Sequence, residues 1–305
     1  RKQITYFLCT NSINLTEEIL HLCKEYNILI STSLDGPAFI HNHNRGKTDS
    51  YNRVIEGINK VRNYLGADKV SALMTTSELS INHPKEIVDN YILNGFNNIF
   101  LRPLNPYGLA LNSTNWNIYF DKFFKFYKQA LNYIIDINIK GKFFVEEFTA
   151  ILLRKILTPF TTGFVDLQSP AGIINSVVVY NYDGYVYASD ESRMLAEYHD
   201  YTFRLGHVTD NYENLFYGDK AQQIALIWGT EFIAGCADCA FQSYCGADPV
   251  RNHSTQNDMY GFRPTSSFCK KHKAIITYLF SLIQSEHDRV MPIFKQWINR
   301  NENDF

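Results

Sequence analysis

The sequence predicts an α/β fold, a parallel sheet of strand–helix units followed by a smaller α+β unit carrying most of the cysteines. Strand-like and helix-like segments alternate through the first third with short connections, which is the signature of βαβ units. The middle is helical and ends in a Pro- and Gly-containing linker. After the linker come a hairpin signal and four of the six cysteines, close together.

Gln3–Cys9 is short, apolar and rich in β-branched and aromatic residues, so it reads as a buried strand. Asn14 is the expected N-cap of a helix over 16–26, with Glu17 and Glu18 in its first turn. Ile28–Leu34 is the second strand, Ser50 caps a helix over 51–65 stopped by Gly66, and Lys69–Thr76 is the third strand. Pro84 opens a helix that ends at Gly95, and Asn98–Leu104 is the fourth strand. Four strands with no evident first half suggest part of a sheet or barrel. In such sheets ligands bind at the carboxyl ends of the strands. Those ends are Thr10-Asn11-Ser12, Asp35-Gly36-Pro37, Thr75-Thr76 and Asn105-Pro106, and His41-Asn-His43 reads as a polar loop.

Trp116–Ile139 carries Tyr119, Phe120, Phe123, Phe124, Tyr127, Leu131, Ile134 and Ile135 at helical spacing, a core-packing stripe. Val145–Leu157 is the next helix, and Thr158–Gly172 the linker. Ser176–Asn181 and Tyr185–Ala188 flank Tyr182-Asp183-Gly184, a hairpin turn. Helices over 271–284 and 286–300 close the chain, the second kinked or restarted at Pro292, before a polar tail from Asn301. The domain boundary falls at 158/159.

A net charge of −2 argues against a strongly basic nucleic-acid binder, and 22 Phe and 20 Tyr against a disordered chain. The longest apolar run, Ala274–Ile283, is about half of a membrane span.

Cys236-Ala-Asp-Cys239, then Cys245 and Cys269, could supply four thiolates to one metal centre. Gly235 and Gly246 free the backbone to wrap it, and Phe241, Tyr244 and Phe268 would limit solvent access. Disulfides would need an oxidising compartment, which nothing in the sequence indicates. Uneven spacing suits an iron–sulfur cluster better than structural zinc, but spacing alone does not decide between them. Cys9 and Cys23 read as small buried residues.

Ile30-Ser-Thr-Ser-Leu-Asp-Gly-Pro37, followed by His41 and Arg45, resembles the fourth-strand motif of radical SAM enzymes. Ile4–Leu15, with Thr10-Asn11, is similar to their third strand, and Leu101–Gly108 to their sixth-strand exit. The C-x2-C-x5-C run plus a later Cys resembles the SPASM extension of peptide and protein maturases. Gly235–Pro249 with Gly261–Cys269 looks like the His-Xaa-Ser system radical SAM maturases. The implied architecture is the C-terminal part of a partial (β/α)6 barrel with its following helices (1–158), then a SPASM-like auxiliary cluster domain (159–305).

The resemblance implies S-adenosyl-L-methionine near Ser33, Asp35, Arg45, Thr76 and Arg102, and one auxiliary [4Fe–4S] cluster on Cys236, Cys239, Cys245 and Cys269. The family's other auxiliary cysteines would fall at Ser189 and Pro249. The family's C-x3-C-x2-C and Gly-Gly-Glu motifs, which precede its third strand, are absent. An N-terminally shortened sequence, inactive by itself and lacking the SAM-binding cluster segment, accounts for this. The implied activity is radical modification of a His-Xaa-Ser type peptide or small protein in the cytoplasm. The implied electron donor is a flavodoxin or ferredoxin, and a second, paired maturase is an admissible partner. No nucleic acid or membrane partner is expected, and the catalytic residues are not specified. The alternative is a non-catalytic, zinc- or cluster-stabilised peptide-binding module.

Overall fold

Short parallel strands organise the first part of the chain. The structure, a computed structural model, describes residues 4–108, 110–111, 115–227 and 229–300. The expected strand start at Gln3 and the tail from Asn301 lie outside the described residues. β1 (Phe7–Thr10), β2 (Leu29–Ser33) and β3 (Val70–Leu73) form one parallel sheet in that order. Its register places Cys9 beside Ser31 and Ser31 beside Ser71. A parallel bridge joins Thr76 to Pro103, and β4 (Asn98–Ile99) pairs in parallel with β5 (Val145–Glu146).

Burial alternates along the sheet. Ile30, Thr32, Val70 and Ala72 are buried, while Cys9, Ser31, Ser33, Ser71 and Leu73 are half-buried or exposed. Parallel sheets are usually covered on both faces; here one face of β1–β3 is open. The expectation of a buried Cys9 is therefore corrected: it lies on the open face of a strand at the sheet edge and is exposed, whereas Cys23 is buried.

The connecting helices are α1 (Glu17–Glu25), α2 (Ala38–Arg45), α3 (Ser50–Leu65) and α4 (Pro84–Leu93). Thr16, not Asn14, caps α1, because its extended backbone lets its hydroxyl accept from Ile19 N–H. α2 replaces the expected loop around His41. Pro37 starts it, left-handed Gly46 ends it, and Ile40 and His41 are its buried residues. Asp49 rather than Ser50 is the N-cap of α3. The buried positions Val54, Ile58 and Val61 repeat at helical spacing, and the Gly66 N–H closes the helix on Arg62. α3 also approaches the exit of β1 so closely that a Cβ on Gly57 would lie 2.1 Å from the Ser12 carbonyl oxygen.

The expected helix over 145–157 starts two residues late. Val145 and Glu146 pair with β4 as a strand, and the helix spans Glu147–Leu157. Glu146 makes that switch. Its buried carboxyl accepts from the N–H groups of Leu101 (3.0 Å) and Thr149 (2.6 Å) and from the Thr149 hydroxyl, joining strand and helix starts. Burial pushes its carboxyl up to about 7.

The chain forms two compact units, one of Arg1–Leu104, Lys125–Ala150 and His287–Phe305, the other of Asn105–Phe124 and Ile151–Glu286. In the second unit, β6 (Val179–Tyr180) and β7 (Tyr185–Tyr187) form the expected hairpin, with Gly184 at positive φ. β8 (Arg204–His207), which has no turn signal before it, adds an antiparallel third strand. Val186, Ala188, Phe203, Leu205, Ile224 and Val250 belong to its core. The final helices run Ser267–Ser285 and His287–Ile298, with Pro292 inside the second. Among the described residues no helix is long and apolar enough to cross a membrane.

Gly57→Ala should destabilise the protein by about 1–3 kcal/mol, because the methyl must displace backbone; urea denaturation measures this. Glu146 is protonated in the folded state at pH values where the unfolded chain has already released its proton. Its contribution is complete below about pH 4.5 and is lost as pH rises to about 7, a total of roughly 3 kcal/mol. Glu146→Gln should flatten the pH dependence of stability across that window.

Candidate cofactor and cysteine sites

The carboxyl ends of the parallel strands carry the first candidate site. Ser33 ends β2 on the open face, in line with Ser31. Asp35 follows it and is 1% exposed. Its carboxylate accepts from Arg45 Nε at 2.8 Å and Nη2 at 2.9 Å, and from the Thr75 N–H at 3.0 Å. The Asp35 N–H donates to His41 Nδ1 at 3.2 Å, and the Tyr91 hydroxyl to the Leu34 carbonyl at 2.6 Å. Burial pushes His41 below the usual imidazole value, with Asp35 opposing and Arg45 adding to the shift. A ring that is neutral can accept at Nδ1.

Thr76 is buried, and its N–H donates to the Arg102 carbonyl at 2.8 Å; Arg102 itself is exposed. The fold thus brings Asp35 and Arg45 into direct contact, and joins Thr76 to Arg102 through the backbone. Ser33 stands on the open face beside these ends. Hydroxyls of Ser31, Ser33 and Ser71 next to Leu29 and Leu73 form a mixed polar and apolar surface. His41 falls in the family-like motif and Thr75 at an expected strand end, whereas Tyr91, which completes the Asp35 cluster, has no local sequence signal of its own.

The second candidate site lies within the second unit. Cys236, Cys239, Cys245 and Cys269 are all free thiols and line one pocket with Phe241, Phe268 and Ile276. A turn carries the first pair, with Cys239 N–H on the Cys236 carbonyl at 3.0 Å. Cys245 follows the 3-10 turn Gln242–Tyr244, and Cys269 sits in the first turn of Ser267–Ser285, whose N-cap Ser266 accepts its N–H. Gly246 lets the chain pass against Asp166, where a Cβ would lie 2.4 Å from the carbonyl oxygen. Tyr244 packs on Phe280 at 5.4 Å and does not line the pocket.

Lys155 Nζ donates to the carbonyls of Leu167 and Cys245, tying the linker to the cysteine loop, and burial holds its ammonium below the usual lysine value. Burial pushes the Cys245 thiol up to about 11; Cys269 is also raised, by burial first and then by the nearby Cys236 and Cys239. Ser189 and Pro249 start helices instead of pointing thiols at the pocket. Ser189 exchanges hydrogen bonds with Ser192 at the cap of Asp190–Ala196, and Pro249 is the first residue of Pro249–Gln256.

Among the described residues, no three His, Cys, Asp or Glu side chains converge closely enough to hold one metal ion. Tetrahedral zinc with Zn–S of about 2.3 Å needs its sulfurs about 3.8 Å apart. A cluster spreads its cysteines further, since each binds a different iron. Both groups draw on a four-thiolate donor set, and these four thiols line one apolar-walled pocket.

Comparison with known proteins supports the fold. No protein-family model matches the chain. A 128-residue stretch, 42% of the chain, is 32% identical to an uncharacterized protein of Methanothermobacter thermautotrophicus. The chain spans 45% of the length of that curated relative. Among solved structures, native anSMEcpe with bound AdoMet superposes with a TM-score of 0.73 at 19% identity, covering 94% of this chain and 76% of that one. The hexahistidine-tagged form with AdoMet gives 0.72 at 18% identity, covering 96% and 74%. The complex with AdoMet and the Kp18Cys peptide gives 0.68 at 18%, covering 94% and 77%. That protein is an anaerobic sulfatase-maturating enzyme of the SPASM/radical SAM class. The chain therefore shares the mixed α/β fold of anSMEcpe over nearly its whole length.

With its thiol raised to about 11, Cys245 should alkylate roughly a hundredfold more slowly at neutral pH than an ordinary exposed thiol. Peptide mass mapping of metal-free protein after a short iodoacetamide pulse should show exposed Cys9 labelled well before Cys245.

Proposed function

We propose that this chain belongs to a radical SAM peptide or protein maturase, with a His-Xaa-Ser type peptide as substrate. One coincidence carries the reading: a chain with the fold of an AdoMet-binding, peptide-modifying enzyme also gathers four thiols around one pocket. In this reading residues 1–158 are the C-terminal part of a partial barrel with its following helices, and 159–305 a SPASM-like domain. Cys236, Cys239, Cys245 and Cys269 hold one auxiliary [4Fe–4S] cluster.

S-adenosyl-L-methionine, held with a reducing cluster, would supply radical hydrogen-atom abstraction from the substrate. The chain's own residues position and shield that chemistry. Ser33 offers its hydroxyl to the ribose from the open sheet face. Asp35 fixes Arg45 by two hydrogen bonds, and Arg45, whose side chain is 36% exposed, keeps a surface for the ligand carboxylate. Thr76 and Arg102 lock the neighbouring strand ends together through their backbones. A flavodoxin or ferredoxin as electron donor, a second, paired maturase and a cytoplasmic location complete the proposal.

Protein purified without oxygen should be brown, with about four irons and as many sulfides for this site. Cys239→Ala should remove that iron and colour, and Cys23→Ala should not. The gene's full reading frame should carry C-x3-C-x2-C upstream, and its product should cleave S-adenosyl-L-methionine with a strong reductant. A colourless protein with one zinc overturns the cluster. A full frame without the upstream motif overturns the enzyme in favour of a non-catalytic peptide-binding module.

A further inference from the structure

We infer that Arg263 is the charge-balancing residue of the four-cysteine site, and that its guanidinium raises the reduction potential of the group those cysteines hold. The second half rests on the iron–sulfur reading; the first holds for any group bound by four thiolates.

Arg263 is 8% exposed and lines the cysteine pocket. Its Nη1 donates to Cys236 Sγ at 3.7 Å, and its Nη2 to the Tyr260 carbonyl. Its Nε is buried with no hydrogen-bond partner, and among the described residues no carboxylate pairs with it. A guanidinium cannot shed its proton to escape burial, so a buried one needs a counter-charge close by. The acidic group this one donates to is the Cys236 thiol.

The backbone around Arg263 is shaped to receive it. Gly235 and Gly261 both have left-handed φ, +77° and +68°. A Cβ on Gly235 would come within 3.0 Å of Arg263 Cγ, and one on Gly261 within 2.6 Å of its Nη2. Asn252, itself buried, donates to the Met259 and Tyr260 carbonyls at 3.1 and 3.2 Å and fixes the turn that supplies the Nη2 acceptor. Two glycines and a buried amide thus hold one cation beside Cys236. Four thiolates around a [4Fe–4S] core or a zinc ion leave a net of about two negative charges in low dielectric. The guanidinium offsets part of that charge. A further electron adds another negative charge, so a fixed cation and an N–H to sulfur favour the reduced state.

The test compares wild type with Arg263→Gln and Arg263→Lys, purified without oxygen. Iron, sulfide and zinc are counted, and the midpoint potential is read by redox titration of the visible spectrum. Arg263→Gln with its iron retained should titrate at a more negative potential, with Arg263→Lys between it and wild type. An unchanged potential in iron-replete Arg263→Gln overturns the inference and leaves the iron–sulfur reading standing. If Arg263→Gln loses its iron, Arg263→Lys decides: retained iron shows that the site requires the charge, and iron lost there too overturns charge balance. Zinc in the wild type would sink the iron–sulfur reading separately. Charge balance then predicts at least tenfold weaker zinc retention in Arg263→Gln than in Arg263→Lys, and equal retention overturns it.

Discussion

Asp35 has almost no contact with water, and the end of the first sheet is arranged around its charge. A buried carboxylate is tolerated only when its oxygens are filled. Arg45 takes both, and the Thr75 N–H shares one of them, so the carboxylate fastens the exit of β2 to α2 and to the exit of β3. His41 and Tyr91 complete the arrangement from α2 and α4 by holding the N–H and the carbonyl of the Leu34–Asp35 peptide. The position of Ser33 and the presentation of Arg45 both follow from this one buried charge.

The parts of the fold legible in sequence were those whose cause is local. Gly66 stops α3 because of its own backbone, and Asp183-Gly184 turns the hairpin for the same reason. The stripe from Tyr119 to Ile135 is largely buried as its spacing implies, although Phe126 is buried where Phe124 is only half so. The elements that escaped are set by distant partners. Val145–Glu146 is a strand only because β4 lies beside it, and two residues are too few to show a period. α2 hid behind Asp35-Gly36-Pro37, whose turn chemistry is real but ends at Pro37, where the helix begins.

The sites divide in the same way. The four cysteines were legible by type and spacing, and the fold sets them around one pocket. Arg263 precedes Cys269 by six residues within the family-like Gly261–Cys269 segment, but its burial beside Cys236 and its lack of a carboxylate partner among the described residues are what give it a role. Asp35 and Arg45 were legible as separate ligand candidates but not as partners, since a short helix must form between them first.

The open face of the first sheet has a thermodynamic consequence. On that wall Leu29, Ser31, Ser33 and Ser71 are only half-buried, and Cys9 and Leu73 are exposed. A molecule bound against it would cover that half-exposed surface and lend its binding free energy to the folded state by mass action. Such a guest would act as a removable piece of the architecture, its free concentration setting how firmly the strand ends are held.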